Sequence, residues 1–451
     1  MHGAWSSSAM FLLAAAGFVV GLKSIWQFPH HLALYGGSAF LLVYLVFLLL
    51  FGVPLLMTQL MLGRLAQASP PAGLARLAIR HRAPPMWRWL GVLAALSGFL
   101  VLSYYNVVAG WLFAYLLRAA GGTLSGITAE GAASVFTALV REPERQLFWH
   151  GLFVVMTLAV VGSGLRAGIE RVLRYAVPLV FLLMLLLVGY AAGSGSFTLG
   201  LEYFLRLDFT QLGGDGVLVA LGDAFFSLGL GVATFMMYGA YLSGNAPLVR
   251  YSVFIVLFDI AAGVLASLAV FPVLFAGGGL STYGPGLVFQ ALAVAFDPLP
   301  LGALMRVLLF FMLVLIAWTS TIALVEPVVA WLVERRGLTR IQAALWTGLA
   351  TWLVGVVAIL SLHHWAFPFS LFGVTRTLGL FDILVLSTTL VLLPLTGLLA
   401  ALFAGWVLRP EVSREALAIE SPCLHDVWLW SNRIAIPVLF VLMLFGLHLF
   451  L

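Results

Sequence analysis

Residues 14–64 read AAAGFVVGLKSIWQFPHHLALYGGSAFLLVYLVFLLLFGVPLLMTQLMLGR. Two apolar runs share this stretch, at about 11–34 and 40–61, and each exceeds the ~20 residues that one membrane-crossing helix needs. The first run is interrupted by Gly17 and Gly21 and carries a lysine, Lys23, in its middle. Glycine costs about 1 kcal/mol against alanine inside a helix. An interrupted apolar helix therefore has either a packing reason or a functional one. The same interruption recurs further along, where residues 225–234 read FFSLGLGVAT, with Gly229 and Gly231. Paired breaks of this kind point to inverted repeats around a site at mid-membrane depth. The competing reading is that small residues let neighbouring helices approach closely.

The rest of the chain fits the same class. It is 63% hydrophobic and 9% charged, with a mean hydropathy of +1.12, where a soluble domain carries about 25% charged residues. Eleven apolar spans are predicted, at about 11–34, 40–61, 90–118, 147–163, 172–192, 216–242, 251–276, 303–333, 342–362, 381–408 and 427–450. The fold class is an all-α polytopic membrane protein. The net charge of +5 does not indicate nucleic acid, because the arginines fall in short loops between apolar runs. Arg64, Arg76, Arg80, Arg82, Arg88, Arg166, Arg171, Arg250, Arg335, Arg336, Arg340, Arg409 and Arg414 fall on one side; Arg141, Arg145, Arg206 and Arg376 fall on the other. The excess places the N-terminus in the cytoplasm and, with eleven spans, the C-terminus outside. The single cysteine, Cys423, excludes an internal disulfide. No cleavable leader is read in the first run.

The stretch quoted above resembles the first two helices of the neurotransmitter:sodium symporter family, bacterial branch. So do YYNVVAGW (104–111), GDAFFSLGLGVATFMMYGAYL (222–242) and FFMLVLIAWTSTIALVEP (310–327). The resemblance covers ten spans in order. It implies a five-plus-five inverted repeat with broken helices 1 and 6, alternating access, and cation-driven uptake of amino acids or amines. The repeats would be 1–192 and 193–408, with an additional helix in 409–451. The protein would sit in the bacterial inner membrane as a monomer or homodimer.

The resemblance also implies a sodium site between spans 1 and 8. Its ligands would be the carbonyls of Gly17, Val20 and Ile316 and the hydroxyls of Thr319 and Ser320. A hard cation takes oxygen ligands, and unwound backbone in a membrane must find partners. The alternative is that both hydroxyls bond back to their own helix.

The departures from the family pattern carry most information. Lys23, the chain's only lysine, stands where the family has glycine, and Ser24 where it has a sodium-ligating asparagine. An ammonium at the bilayer centre costs about 2.5–3.5 kcal/mol on the insertion scale. Asp259 matches another ligand of that first sodium, and Asp223 replaces a glutamine near the chloride site, whose hydroxyls match Tyr44 and Ser227. The expectation is that Lys23 replaces the first sodium as a tethered cation, balanced by Asp223 or Asp259, so that chloride is not required. Two alternatives stand beside it: Lys23 snorkels into a vestibule, or it titrates and carries a coupled proton.

Positions matching the substrate cavity are Val19, Gly21, Lys23, Val101, Tyr105, Phe226, Gly229, Val232, Ser320 and Leu324. Tyr105 matches the tyrosine that meets the substrate carboxylate, and the other walls are apolar, as in most ligand pockets. They imply a neutral amino acid with an apolar side chain; an amine without a carboxylate would leave Lys23 unused. The outer-gate charges are replaced by Gln27 and by Val385, three residues after Asp382, which leaves Phe226 as a lid over Tyr105. Glu334 matches the acidic inner-gate residue, with His2 nearest in register to its missing arginine partner, and Gln59 replaces a glutamate. A proton-coupled transporter or exchanger, and a receptor-like homologue that does not transport, remain as other readings. No nucleophile elbow, Walker motif or metal-ligand cluster suggests an enzyme. His30 and His31 are read as lying at the outer end of span 1, without nearby cysteine or paired acids.

Overall fold

The computed structural model describes residues 3–277, 286–365, 367–371 and 374–446. Its long helices are α3 (Ser38–Ala66), α5 (Pro85–Ala120), α7 (Pro143–Gly162), α8 (Leu165–Ala192), α12 (Leu248–Ala276), α13 (Gly302–Arg336), α14 (Arg340–Leu362), α15 (Leu380–Val407) and α17 (Pro422–Leu444). These nine, among the described residues, are long and apolar enough to cross a membrane. The pair α1 (Ser8–Val19) and α2 (Lys23–Leu34) makes a tenth if counted as one span. Shorter helices fill the loops: α4 (Pro70–Arg80), α6 (Ala129–Arg141), α9 (Phe197–Leu205) and α16 (Pro410–Leu417). Leucines such as Leu49, Leu182, Leu345 and Leu444 are exposed on the outside of the bundle, as a lipid-facing surface requires.

The first break follows from its sequence. Ser7 caps α1 by accepting from the Met10 N–H, 3.2 Å away. The helix ends at Val20, whose ψ of 84 leaves the helical region, and the chain restarts at Lys23 with a 56° bend. Gly17 stays inside α1: a Cβ there would come within 2.8 Å of Val177 and 3.2 Å of Thr319. It is a packing glycine, whereas Gly21 lies in the break itself.

The second break separates α10 (Phe209–Ser227) from α11 (Thr234–Ala240). Gly229 and Gly231 have φ of 62 and 90, the left-handed region that glycine adopts without strain. A Cβ on Gly231 would stand 2.2 Å from the Leu393 carbonyl oxygen. Neighbouring helices satisfy the unwound backbone. Thr396 Oγ1 donates to the Gly231 carbonyl at 2.5 Å, and the Ala233 N–H donates to the Ala94 carbonyl at 3.2 Å. In a lipid environment each such group left unpaired would cost several kcal/mol.

Two glycines bring α3 and α11 into backbone contact. A Cβ on Gly63 would reach 1.8 Å from the Met236 carbonyl oxygen, and one on Gly239 would reach 2.3 Å from that of Leu60. Small residues facing each other in this way allow close packing where burial of apolar surface gives no driving force. At the centre of the bundle α13 is the most buried of the long helices.

The all-α expectation holds, with one small addition in a loop. A two-stranded antiparallel hairpin, β1 (Phe367–Leu371) and β2 (Val374–Leu378), pairs Phe367 with Leu378 and Leu371 with Val374. Its β-branched residues and its short length match an extraspan loop strand pair.

Candidate functional site

The two breaks face one cavity of about 640 Å³. Val19, Gly21, Lys23, Val101, Tyr105, Phe226, Gly229, Val232, Ser320 and Leu324 all stand on its wall. They come from α1, the first break, α2, α5, α10, the second break and α13, so only the folded bundle brings them together. The wall also includes residues the sequence reading did not name, among them Trp26, Tyr104, Trp111, Phe136 and Phe381. Trp111 stacks on Phe381 and meets Phe136 edge-on, with ring centres 6.1 and 5.8 Å apart. Apart from Lys23 the wall is largely apolar and aromatic.

Tyr105 provides the sharpest polar feature. Its hydroxyl is buried and lies close to Ser320 and the Leu22 backbone. A ligand that brings a carboxylate to this point would take a hydrogen bond from it.

A narrower pocket shares Lys23, Ser24, Gln27, Phe226 and Ser227 with the cavity and adds Tyr44, Asp223 and Asp259. Asp223 is 6% exposed and Asp259 is 2% exposed. Each has its own polar partners. Asp223 accepts from Gln27 Nε2 at 3.2 Å and sits 2.6 Å from His31 Nδ1. Asp259 accepts from the Tyr44 hydroxyl at 2.5 Å, and Tyr44 and Ser227 are hydrogen-bonded at 2.9 Å. Among the described residues Lys23 forms no ion pair. Its Nζ lies 4.6 Å from the centre of the Phe226 ring, and Asp223 is the acid whose charge reaches it. The lysine, half-buried, lines both the narrow pocket and the cavity.

His31 has one acid beside it, Asp223, a pairing that the sequence reading did not name. Asp223 is 192 positions away in the chain and arrives from α10. Gln27 and Val385, at the positions of the absent outer-gate charges, both line the cavity. Asp382 serves its own helix end, accepting from the Gly379 N–H at 2.9 Å.

On the other side of the bundle Glu334 pairs with Arg76 of α4 and accepts from both the N–H and the hydroxyl of Ser69. His2 lies outside the described residues. Glu326, which the sequence reading did not single out, is fully buried and holds Arg340 and the Tyr241 hydroxyl. Gln59 is fully buried, and its amide completes no hydrogen bond among the described residues.

Of the residues expected to hold a sodium ion, Gly17 and Thr319 approach each other at the seam of α1 and α13, and Val20 ends α1. Thr319 Oγ1 and Ser320 Oγ donate to the Ile316 carbonyl at 3.0 and 3.1 Å, so both hydroxyls bond back to their own helix, as the alternative reading of the sequence had it. A hydroxyl that donates backwards keeps its lone pairs. The donor set is thus all oxygen, drawn from a helix end and an adjacent helix, which fits a hard monovalent cation.

Comparison with known proteins agrees with this architecture. The chain matches the Sodium:neurotransmitter symporter family over residues 2–130 and 145–444. It is 33% identical over 454 residues to YhdH, an uncharacterized sodium-dependent transporter of Bacillus subtilis, covering 98% of this chain and 97% of that one. It is 27% identical over 453 residues to an uncharacterized sodium-dependent transporter of Haemophilus influenzae, covering 99% and 98%. Its structure resembles the crystal structure of MhsT in complex with L-phenylalanine, with a TM-score of 0.88 and 32% identity over 99% of this chain and 100% of that one. Two broken helices around a shared cavity, and these matches along nearly the whole length, make the chain a member of the sodium:neurotransmitter symporter family.

Proposed function

We propose that the chain takes up a neutral amino acid with an apolar side chain by alternating access, driven by sodium, with Lys23 acting as a tethered cation in place of a second sodium. The observation that carries this reading is the buried Tyr105 hydroxyl on the wall of the same apolar cavity as the chain's only lysine. A carboxylate satisfies both groups: it accepts from the phenol and offsets the ammonium. An apolar side chain then lies against Val101, Val232, Leu324 and the aromatic wall. MhsT, which binds L-phenylalanine, supports an amino acid as cargo.

Sodium is held by the carbonyls of Gly17, Val20 and Ile316 and the hydroxyls of Thr319 and Ser320, and its binding closes the seam between the moving α1 and α13. Chloride is not required, because Asp223 and Asp259 supply negative charge beside Tyr44 and Ser227. The chain has eleven spans, counting α10 and α11 as one broken span. They form repeats over 1–192 and 193–408, with α17 added in 409–451. It lies in a bacterial inner membrane with its N-terminus cytoplasmic and its C-terminus outside, as a monomer or homodimer, and it is a transporter rather than an enzyme.

A second reading has a specific support. His31, Gln27 and Asp223 form a part-buried polar chain beside the Lys23 pocket, with His31 Nδ1 2.6 Å from Asp223. Such a chain supports coupling of uptake to protons. Uptake of labelled leucine and phenylalanine into proteoliposomes separates these readings. Accumulation under an inward sodium gradient at equal pH supports the first. Accumulation under a proton gradient without sodium, lost in His31→Gln, supports the second. Binding without uptake under either gradient overturns both.

A further inference from the structure

A second cavity, of about 770 Å³, opens at the end of the bundle that carries the N-terminal segment. Trp5 marks that end, its N–H bonded to the Tyr241 carbonyl. Four arginines converge on the cavity: Arg64 on α3, Arg80 at the end of α4, Arg82 in the turn before α5, and Arg409 between α15 and α16. Arg64 is 6% exposed and spends one donor on the Ala246 carbonyl at 2.7 Å. Among the described residues the guanidinium groups of Arg80, Arg82 and Arg409 make no hydrogen bond and no ion pair. Glu415 is the one acid among the lining residues. His81 stands between Arg80 and Arg409; burial and these two charges hold its imidazole below the ordinary range. Converging like charges repel, and an anion between them removes the repulsion.

The rim is apolar. Ile79 and Trp406, both exposed, immediately precede the lining residues Arg80 and Val407 in the chain, Met86 and Trp89 are exposed shortly after Arg82, and Trp87 packs edge-on against Phe403, joining the start of α5 to α15. Tryptophan favours the boundary between lipid tails and headgroups. A soluble anion has no use for such a rim, whereas a phospholipid does. We propose that this cavity binds the phosphate headgroup of an anionic phospholipid, with the acyl chains lying along the exposed Ile79–Trp89 and Trp406 surface. Basic pockets between membrane helices recognise such headgroups through charge and multiple donors. The site is independent of the substrate cavity.

The test uses the purified full chain in mild detergent. Dioctanoyl phosphatidylglycerol, dioctanoyl phosphatidylcholine and inorganic phosphate are compared by thermal unfolding and by lipid retention in native mass spectrometry. Phosphatidylglycerol is expected to raise the unfolding temperature and to be retained, and the other two are not. Retention falls about fivefold for each arginine removed in R80A, R82A and R409A, and is unchanged in R174A, an exposed arginine outside the cavity. Equal stabilisation by inorganic phosphate would overturn the lipid assignment. Equal retention of phosphatidylcholine, or undiminished retention in the triple variant, would overturn the basic site. If the triple variant does not fold, R409A alone gives the same decision, because its guanidinium makes no hydrogen bond or ion pair among the described residues.

Discussion

Lys23 Nζ lies 4.6 Å from the centre of the Phe226 ring, so the single lysine presents its charge to an aromatic face inside the cavity rather than to a carboxylate. A desolvated contact of this kind is worth about 2 kcal/mol. It holds the ammonium in place while leaving its donors free. Lys23→Met is expected to abolish uptake at every sodium concentration and pH, with folded protein still recovered. Phe226→Leu, which keeps the bulk and loses the ring, is expected to weaken substrate binding about tenfold, the equivalent of 1.4 kcal/mol. Scintillation-proximity binding with a labelled amino acid checks both. Normal transport by Lys23→Met would remove the tethered-cation reading.

Thr319 and Ser320 differ in what surrounds them: Thr319 faces Gly17 across the seam, and Ser320 faces the cavity as well. Thr319→Val keeps the shape and removes one of the proposed oxygen ligands. It should weaken sodium affinity at least about tenfold while leaving the affinity for substrate at saturating sodium within about twofold. The measurement is the sodium concentration dependence of intrinsic tryptophan fluorescence. An unchanged sodium dependence would move the ion away from this seam.

Gly231→Ala and Gly229→Ala are expected to differ in severity. At Gly231 the added methyl meets the Leu393 carbonyl oxygen, part of the α15 backbone, which has nowhere to go. At Gly229 it meets the Phe18 ring at 2.7 Å, a side chain able to rotate. Both positions also impose a left-handed backbone, at about 1–2 kcal/mol for a non-glycine residue. Gly231→Ala should therefore yield little monodisperse protein by size-exclusion chromatography, and Gly229→Ala a folded protein with a lower unfolding temperature.

Asp208 caps α10 outside the membrane. Its carboxylate accepts from the Thr210 hydroxyl and N–H and from the Gln211 N–H, and Arg206 stands beside it. These bonds, with the Thr210 hydroxyl foremost, hold its carboxyl down at about 2 against an ordinary 3.8. A depressed carboxyl contributes stability that is present above the ordinary value and lost as the pH falls from about 4 towards 2. Asp208→Asn keeps the cap and discards the charge, so its unfolding temperature should lose that acid dependence. Asp208→Ala should be less stable at neutral pH as well. Unfolding temperatures measured from pH 7 to pH 3 decide the matter.

The parts legible in the sequence were those written in local patterns. Apolar length marked the spans, and the paired glycine interruptions marked both breaks. Lys23, Tyr105 and Phe226 were placed by their surrounding motifs, and the structure sets them on one cavity wall. What stayed hidden were polar pairings between distant elements. Asp223 reaches His31 from another helix, and Glu334 reaches Arg76 over 258 positions. Arg80, Arg82 and Arg409 read as topology signals one by one, and their convergence depends on how α4 and α15 end in space. The hairpin at 367–378 was masked by its setting between two strongly apolar runs.

The reciprocal glycine contact of α3 with α11 has a mechanical consequence. With carbonyls of each helix lodged against the other where no Cβ intervenes, the two cannot slide or tilt independently without collision. Whatever opens the cavity towards one side of the bilayer must carry α3 and α11 as a single lever, leaving the flexible work to the unwound links at 20–22 and 228–233.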